Sequence, residues 1–335
     1  MEVAILGGGN FGTAIANIVA GNGHVTYLWM RDEQQVADCL THRENRRYLP
    51  GHALNPLVRP TADLTQALSH SDVTVMSVPS ESFREVSRQL AQFTHPQSVL
   101  VSATKGIEAV GFTLMSQILA EETGSLRVGV LSGPNLAEEI AAEQYTGTVI
   151  ASKDPSVCEI MLEVLQSDTF RVYVNDDVYG VELGGALKNI YAIICGMAAG
   201  LAVGQNTLGM LITRSLAEMS QFAVSLGANP LTFLGLSGVG DLLVTCTSPL
   251  SRNYQLGFRV GQGQSLDAAL AEMGKLAEGL NTLEVVYLKS RQLGVQMPLV
   301  DALHQVVFER GDIASIISGL MTGGHSQDVE FALPG

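Results

Sequence analysis

The chain has 335 residues, 46% of them hydrophobic and 16% charged, with a formal net charge of −14. That length suits two domains, and the acidic balance argues against nucleic acid or an anionic membrane as the main partner. A phosphorylated small molecule stays compatible, because a few local cations in a pocket outweigh a distant acidic surface.

The four cysteines, Cys39, Cys158, Cys195 and Cys246, are far apart and form no CxxC pair. They read as reduced thiols of a cytoplasmic protein, not as a disulfide frame or a zinc site. The N-terminus runs into a strand pattern with no basic segment before it, so no signal peptide is expected. The most apolar stretch, residues 183–203, contains Lys188, Asn189 and several glycines. It reads as a buried core helix, and no membrane span is expected.

In the first half, short β-rich runs alternate with helical patterns. The runs are residues 3–6, 25–29, 73–78, 98–103, 127–131, 148–151 and 170–174, with helices such as 12–22 and 82–92 between them. Near-continuous apolar strands in this alternation predict a doubly wound, Rossmann-like parallel sheet of α/β class, covered on both faces. Beyond about residue 178 the strand signals stop. Helical patterns follow at 181–203, 206–226, 265–273, 281–293 and 298–309. The expected organisation is a dinucleotide-binding domain, 1–180, and an all-helical substrate-binding and catalytic domain, 181–335.

The strongest local signal is Gly7-Gly8-Gly9-Asn10-Phe11-Gly12, set between the first strand and a helix. Gly7 turns the chain, Gly9 lets the backbone approach a pyrophosphate, and Gly12 packs helix on strand. The helix N-terminus then offers N–H groups and a positive dipole end to the phosphates. The second strand ends in Trp29-Met30-Arg31-Asp32. Arg31 can pair with a 2′-phosphate, which favours NADPH modestly over NADH because Asp32 follows at once. The run into Val78-Pro79-Ser80 reads as a turn at the sheet's carboxyl edge, where ligands sit in open parallel sheets.

Four further segments suggest a substrate site. Ala103-Thr104-Lys105-Gly106 places Lys105 at the same edge, able to neutralise a phosphate or polarise a carbonyl. In Ser132-Gly133-Pro134-Asn135, Gly133 and Pro134 make a turn and Asn135 reads as a helix N-cap, with Glu138 at the capping-box position. Lys188 shares a helical face with Gly184, Gly185, Tyr191, Ala192 and Cys195. A lysine on such an apolar face is desolvated, which lowers its pKa and suits it to give a proton to a carbonyl oxygen and take it back. Gly238-Val239-Gly240-Asp241 predicts a tight turn aiming Asp241 inward, where it can orient Lys188. Ser251, Arg252 and Asn253 supply a hydroxyl, a guanidinium and an amide in succession, a set that suits a phosphate.

Taken in order, GGGNFGT, ATKGIE, SGPNLAEEI, ELGGALKNIYAI, GVGDLLVTCTSPLSRN and LAEGLNT resemble bacterial NAD(P)-dependent glycerol-3-phosphate dehydrogenases over about residues 1–297. The resemblance implies a Rossmann domain followed by a helical domain. It implies reversible reduction of dihydroxyacetone phosphate to sn-glycerol 3-phosphate with NADPH or NADH, a step that feeds glycerophospholipid synthesis. It makes Lys188 the proton donor and acceptor, with Lys105 and Asp241 beside it in catalysis. It assigns Lys105, Gly133, Asn135, Lys188, Asp241, Ser251, Arg252 and Asn253 to the substrate. It assigns Asn10, Phe11, Arg31, Lys105, Ala137, Arg252, Leu276 and Glu278 to the dinucleotide. A homodimer is expected. The chain departs from the family's usual pattern at Ala199, before Gly200, where an acid is usual. It departs again at Leu208, where a base is usual, and at Ser215, where glycine is common. These departures keep two alternatives open: a paralogue reducing a different phosphorylated ketone, and a non-catalytic dinucleotide sensor.

Overall fold

The computed structural model describes residues 1–274, 278–313 and 316–317. The chain divides into two compact units, Met1–Glu182 and Leu183–Gly335.

The first unit is built on strands β1 (Glu2–Leu6), β2 (Val25–Trp29), β3 (Val58–Thr61), β4 (Val73–Met76), β5 (Val99–Ser102), β6 (Ile107–Glu108), β7 (Thr113–Leu114), β8 (Val128–Ser132), β9 (Thr146–Ser152) and β10 (Phe170–Asn175). β6 and β7 form a small antiparallel pair, and the other eight form one sheet in the order β10-β9-β8-β5-β4-β1-β2-β3. From β1 the chain first winds outward through β2 and β3, then returns to place β4 on the other side. The β1/β4 boundary is therefore the topological switch point, where open α/β sheets bind ligands.

Alternation along β1 shows why both faces are covered. Val3 and Ile5 join one buried cluster with Ala14 and Ile15 of the helix Asn10–Gly21 and Met161 of the helix Pro155–Leu165. Ala4 and Leu6 join a second cluster with Phe83 and Val86 of the helix Ser80–Leu90 and Ile118 of the helix Met115–Thr123. A strand buried on both sides has no polar face to show, hence its continuous apolar run.

Two strands differ from the expected parallel arrangement. β9 pairs antiparallel with β8, and β10 follows β9 in parallel, so both run against the rest of the sheet. The link from β8 to β9 carries only the one-turn helix Ala137–Ala141, so it reverses the chain instead of crossing over the sheet. β3 lies outside the strand runs read from sequence. It contains Arg59 and Pro60 and pairs only with β2, as suits an edge strand, where proline is tolerated.

The second unit is helical among its described residues. Its long helix Val178–Gly200 begins in the first unit and is long and apolar enough to cross a membrane, but 83% of its apolar window is buried within the protein. Close backbone contacts organise the unit. Cβ atoms on Gly196 and Gly200 would collide with the carbonyls of Tyr254 and Phe258, and Cβ atoms on Gly257 and Gly261 with those of Ile193 and Met197. Two Gly-x-x-x-Gly faces therefore seat the helix Arg252–Gly261 backbone to backbone against the long helix.

A buried carboxylate ties the unit together further. Glu218, on the helix Gln205–Ser225, accepts from the backbone N–H groups of Leu299 at 2.8 Å and Val300 at 3.2 Å, capping the helix Pro298–Phe308. It also accepts from the Tyr191 hydroxyl at 3.1 Å. Burial nevertheless pushes its carboxyl up to about 8. In the first unit, burial pushes Glu182 up to about 7, against the bonds it accepts from Ser116.

Both carboxyls bind a proton more tightly in the folded chain. The stability they contribute is full below their ordinary value of 4.5 and is lost as pH rises through about 7 and about 8. For Glu218 the change is on the order of a few kcal/mol. Thermal melts across this window are expected to show Tm falling as pH rises, with Glu218→Gln flattening the upper part of the slope. A Tm that climbs with pH in the unsubstituted protein would contradict the assignment.

Candidate active site

The glycine-rich turn leaves β1 at the switch point. Gly7 has φ +126°, and a Cβ there would collide with the Ser77 carbonyl at the end of β4. A Cβ on Gly12 would collide with the Gly7 carbonyl, so the helix Asn10–Gly21 can pack this close only with glycine. Gly9 differs from both: a Cβ there meets nothing within 4 Å. Gly9 is also the N-cap of that helix, with no side-chain cap and no acid in the first turn. The open space above Gly9 and the uncapped N–H groups fit a dinucleotide pyrophosphate, which glycine lets approach the backbone.

Three buried side chains brace this turn, and sequence reading missed all of them. Gln35 donates to the Gly8 carbonyl at 2.7 Å and Asn45 donates to it at 3.0 Å. Asn45 also donates to the Thr13 hydroxyl at 2.8 Å, and Thr13 donates to the Gly9 carbonyl at 2.7 Å. Gln35 and Asn45 lie 27 and 37 residues beyond Gly8, so no local pattern announces them.

At the tip of β2, Arg31 is exposed. Asp32 caps the helix Glu33–His42, accepting from Gln34 N at 3.0 Å and Gln35 N at 3.4 Å, and pairs with Arg47 at 2.8 Å.

The other carboxyl-edge loops of the first unit interlock. Val78 lies beside Gly7, and Pro79 opens the helix Ser80–Leu90. The Thr104 hydroxyl donates to the Val78 carbonyl at 2.7 Å, so the loop bearing Lys105 is tied to that turn. Lys105 Nζ donates to the Gly133 carbonyl at 3.3 Å. Gly133 has φ +136°, a conformation reserved in practice for glycine. Asn135 is not a helix cap: Leu136 holds that position for Ala137–Ala141, and the Asn135 amide instead donates to the Thr148 hydroxyl at 2.8 Å. Asn135 Oδ1 and Ser132 Oγ are buried without a protein hydrogen-bond partner. Orphaned buried oxygens of this kind suit a site completed by a ligand or water. Phe11 and Ala137 pack on the same apolar cluster, which brings those two family positions together.

In the second unit Lys188 stands eleven residues into its helix and is 7% exposed. Its ammonium donates to the Asp241 carboxylate, which is 1% exposed. It also donates to the Thr245 hydroxyl at 2.8 Å. Thr245 donates its own proton to the Asp241 carbonyl at 2.6 Å, so its lone pair faces the lysine. Asp241 opens the helix Asp241–Thr247 directly after a five-residue π turn, Leu236–Gly240, in place of the expected tight glycine turn. A Cβ on Gly184 would collide with the Ser237 carbonyl, and one on Gly238 with that of Phe233, so both glycines are required for the close approach.

Ser251 caps the helix Arg252–Gly261, accepting from Tyr254 N at 3.3 Å. Arg252 is exposed at its first turn. Asn253 is buried, and its Oδ1 accepts from Gly279 N at 3.1 Å. Glu278 begins the helix Glu278–Leu293. Leu276 lies outside the described residues.

Comparison with known proteins agrees over both units. The N-terminal model of NAD-dependent glycerol-3-phosphate dehydrogenase matches residues 2–158, and its C-terminal model matches residues 177–318. The chain belongs to the NAD-dependent glycerol-3-phosphate dehydrogenase family. Glycerol-3-phosphate dehydrogenase [NAD(P)+] of Teredinibacter turnerae is 56% identical over 330 residues, 98% of this chain and 97% of that protein. That of Azotobacter vinelandii is 54% identical, covering 98% of this chain and 96% of its own. Among solved structures, the glycerol-3-phosphate dehydrogenase of Coxiella burnetii has a TM-score of 0.92 at 34% identity, over 96% of this chain and 99% of that one.

Thr245 lies within the family-like segment GVGDLLVTCTSPLSRN, but was assigned no individual role from sequence. Asp241 and Thr245 are four apart on one helix and so share a face. Ser132 opens the Ser-Gly-Pro-Asn segment read as part of the substrate site, but was given no role of its own.

The glycines separate binding from folding. Gly12→Ala forces a clash with backbone and is expected to cost about 1–3 kcal/mol of stability. Gly9→Ala makes a poorer N-cap without a clash and costs up to about 1 kcal/mol. Its Cβ projects into the space proposed for the pyrophosphate, so it is expected to weaken dinucleotide binding by about tenfold or more. Parallel melts and nucleotide titrations distinguish the two, and equal loss of stability in both variants would refute the distinction.

Proposed function

We propose that this chain catalyses reversible hydride transfer between NAD(P)H and dihydroxyacetone phosphate, giving sn-glycerol 3-phosphate, the reaction for which its relatives are named. The first unit holds the dinucleotide through the residues at Gly7, Gly9, Asn10, Phe11 and Gly12, with Arg31, Lys105 and Ala137 around them. When bound, the dinucleotide supplies the hydride that C2 of the ketone receives.

The observation that carries the reading is the buried Lys188–Asp241 pair braced by Thr245. A ketone oxygen gathers negative charge as hydride reaches its carbon, and a positioned ammonium can stabilise that charge and deliver a proton. Asp241 and Thr245 together fix the position of the Lys188 nitrogen. In the reverse direction the amine takes the proton from the C2 hydroxyl. Arg252 and Asn253 suit the substrate phosphate, with Ser251 serving first as the cap that aligns them, and Lys105 is assigned to the substrate by family position. Gly133, Asn135, Leu276 and Glu278 are assigned by family position.

All four cysteines are buried free thiols, which supports a reducing compartment such as the cytoplasm.

Spectrophotometry of NADPH and NADH with dihydroxyacetone phosphate tests the activity. Lys188→Ala is expected to lower kcat by about 10²–10⁴-fold, while the dinucleotide Kd changes less than about twofold. Normal turnover by that variant removes Lys188 from its role. Oxidation of NADPH only with another ketose phosphate replaces the substrate.

A further inference from the structure

The segment that follows the helix Glu33–His42 returns to the cofactor turn. Asn45, fully buried, is bonded to the Gly8 carbonyl, and the backbone N–H groups of Tyr48 and Leu49 bond back to the Asn45 carbonyl at 3.2 and 2.8 Å. Arg47 sits inside that pinned turn, two residues from Asn45. Its guanidinium reaches Asp32 at 2.8 Å, beside Arg31 at the tip of β2. Two cations thus flank the place where an acid would normally meet the adenosine ribose.

Asp32 is poorly suited to that ribose role. One carboxylate oxygen accepts from Gln34 N and Gln35 N, and the other is held by Arg47. Its charge is offset by a guanidinium and by the helix N-terminus it caps. We propose that Arg47, with Arg31, forms a two-cation clamp for the 2′-phosphate of NADPH, and that Asp32 competes with that phosphate for Arg47. The proposal rests on the dinucleotide reading of the glycine turn and adds the residue that sets preference between the two coenzymes. Arg47 lies fifteen residues beyond Asp32, in a turn that Asn45 anchors to the Gly8 carbonyl. Charge-assisted bonds from two guanidinium groups favour the phosphorylated ribose, whereas NADH gives Arg47 no such partner and leaves it on Asp32.

Calorimetric titration with adenosine 2′,5′-bisphosphate and with 5′-AMP isolates the 2′-phosphate without any turnover. Arg47→Gln is expected to weaken the bisphosphate about tenfold and AMP less than about twofold. Arg31→Gln should do the same. Asp32→Asn keeps the cap but removes the competing charge, and is expected to tighten the bisphosphate several-fold. The NADPH-to-NADH ratio of Kd values should move in step. If Arg47→Gln changes both nucleotides equally, or neither, the clamp is overturned; unchanged or weaker bisphosphate binding by Asp32→Asn overturns the part given to Asp32. Failure of the unsubstituted protein to bind AMP, NADH or NADPH would overturn the dinucleotide reading as well, whereas AMP binding to which the 2′-phosphate adds nothing overturns the clamp alone.

Discussion

The constraint on which the catalytic reading depends is the burial of one ammonium group. Lys188 lies in the middle of a helix buried on every side, with Tyr191, Ala192 and Cys195 around it. An ammonium in such surroundings is costly unless paired and hydrogen-bonded. The Asp241 carboxylate and Thr245 hydroxyl provide that compensation, and they reach the lysine only because Gly184 and Gly238 let backbones touch. The pair is weak evidence for stability, since an apolar pair of similar volume would fold as well. It is better explained as a charge held ready where charge will develop.

Glycine does comparable work in the first unit. Gly7 and Gly12 allow strand, turn and helix to approach until no side chain fits, while Gly9 leaves a space. The difference between a glycine that is filled against and one that is left open separates scaffold from site. In the second unit, Gly196, Gly200, Gly257 and Gly261 belong to the first kind. Their seam brings the N-terminus of the helix bearing Arg252 and Asn253 to a fixed place on the Lys188 helix. The retained Gly200 therefore has a packing reason that is independent of the residue before it, and the change to Ala199 leaves that seam intact.

Much of this was legible in the sequence because it is local. The three glycine roles follow from strand, turn and helix in immediate succession. The Lys188 helix, its apolar surroundings and an inward Asp241 follow from periodicity and two glycines. What escaped has a nonlocal cause. The direction of β9 and β10 depends on whether a connection crosses the sheet or turns back, and an apolar strand reads the same either way. β3 hid behind a charged residue and a proline that only an edge accepts. Asn135 was read as a cap from a capping-box pattern, but its amide is taken by Thr148 across the strand boundary. The braces Gln35 and Asn45 answer to a carbonyl far away in sequence. In the long helix burial extends over every face at residues 181–193, wider than the single apolar face that the spacing around Lys188 predicts.

The acidic chain must still attract anions. At physiological salt, exposed charges act over roughly 8 Å, so the net charge of −14 matters less than the few groups near each phosphate. Around the β2 tip two acids are paired: Asp32 by Arg47 and a helix N-terminus, Asp38 by Arg46. The Arg46 guanidinium holds the Asp38 carboxyl below its ordinary range. Arg31 thus stands beside a carboxylate already paired with Arg47. The same reasoning explains why Arg47 and Arg46, adjacent in sequence, have different duties. Arg46 neutralises an acid on the outer turn of its helix, whereas Arg47 is steered by the buried Asn45 toward the cofactor turn.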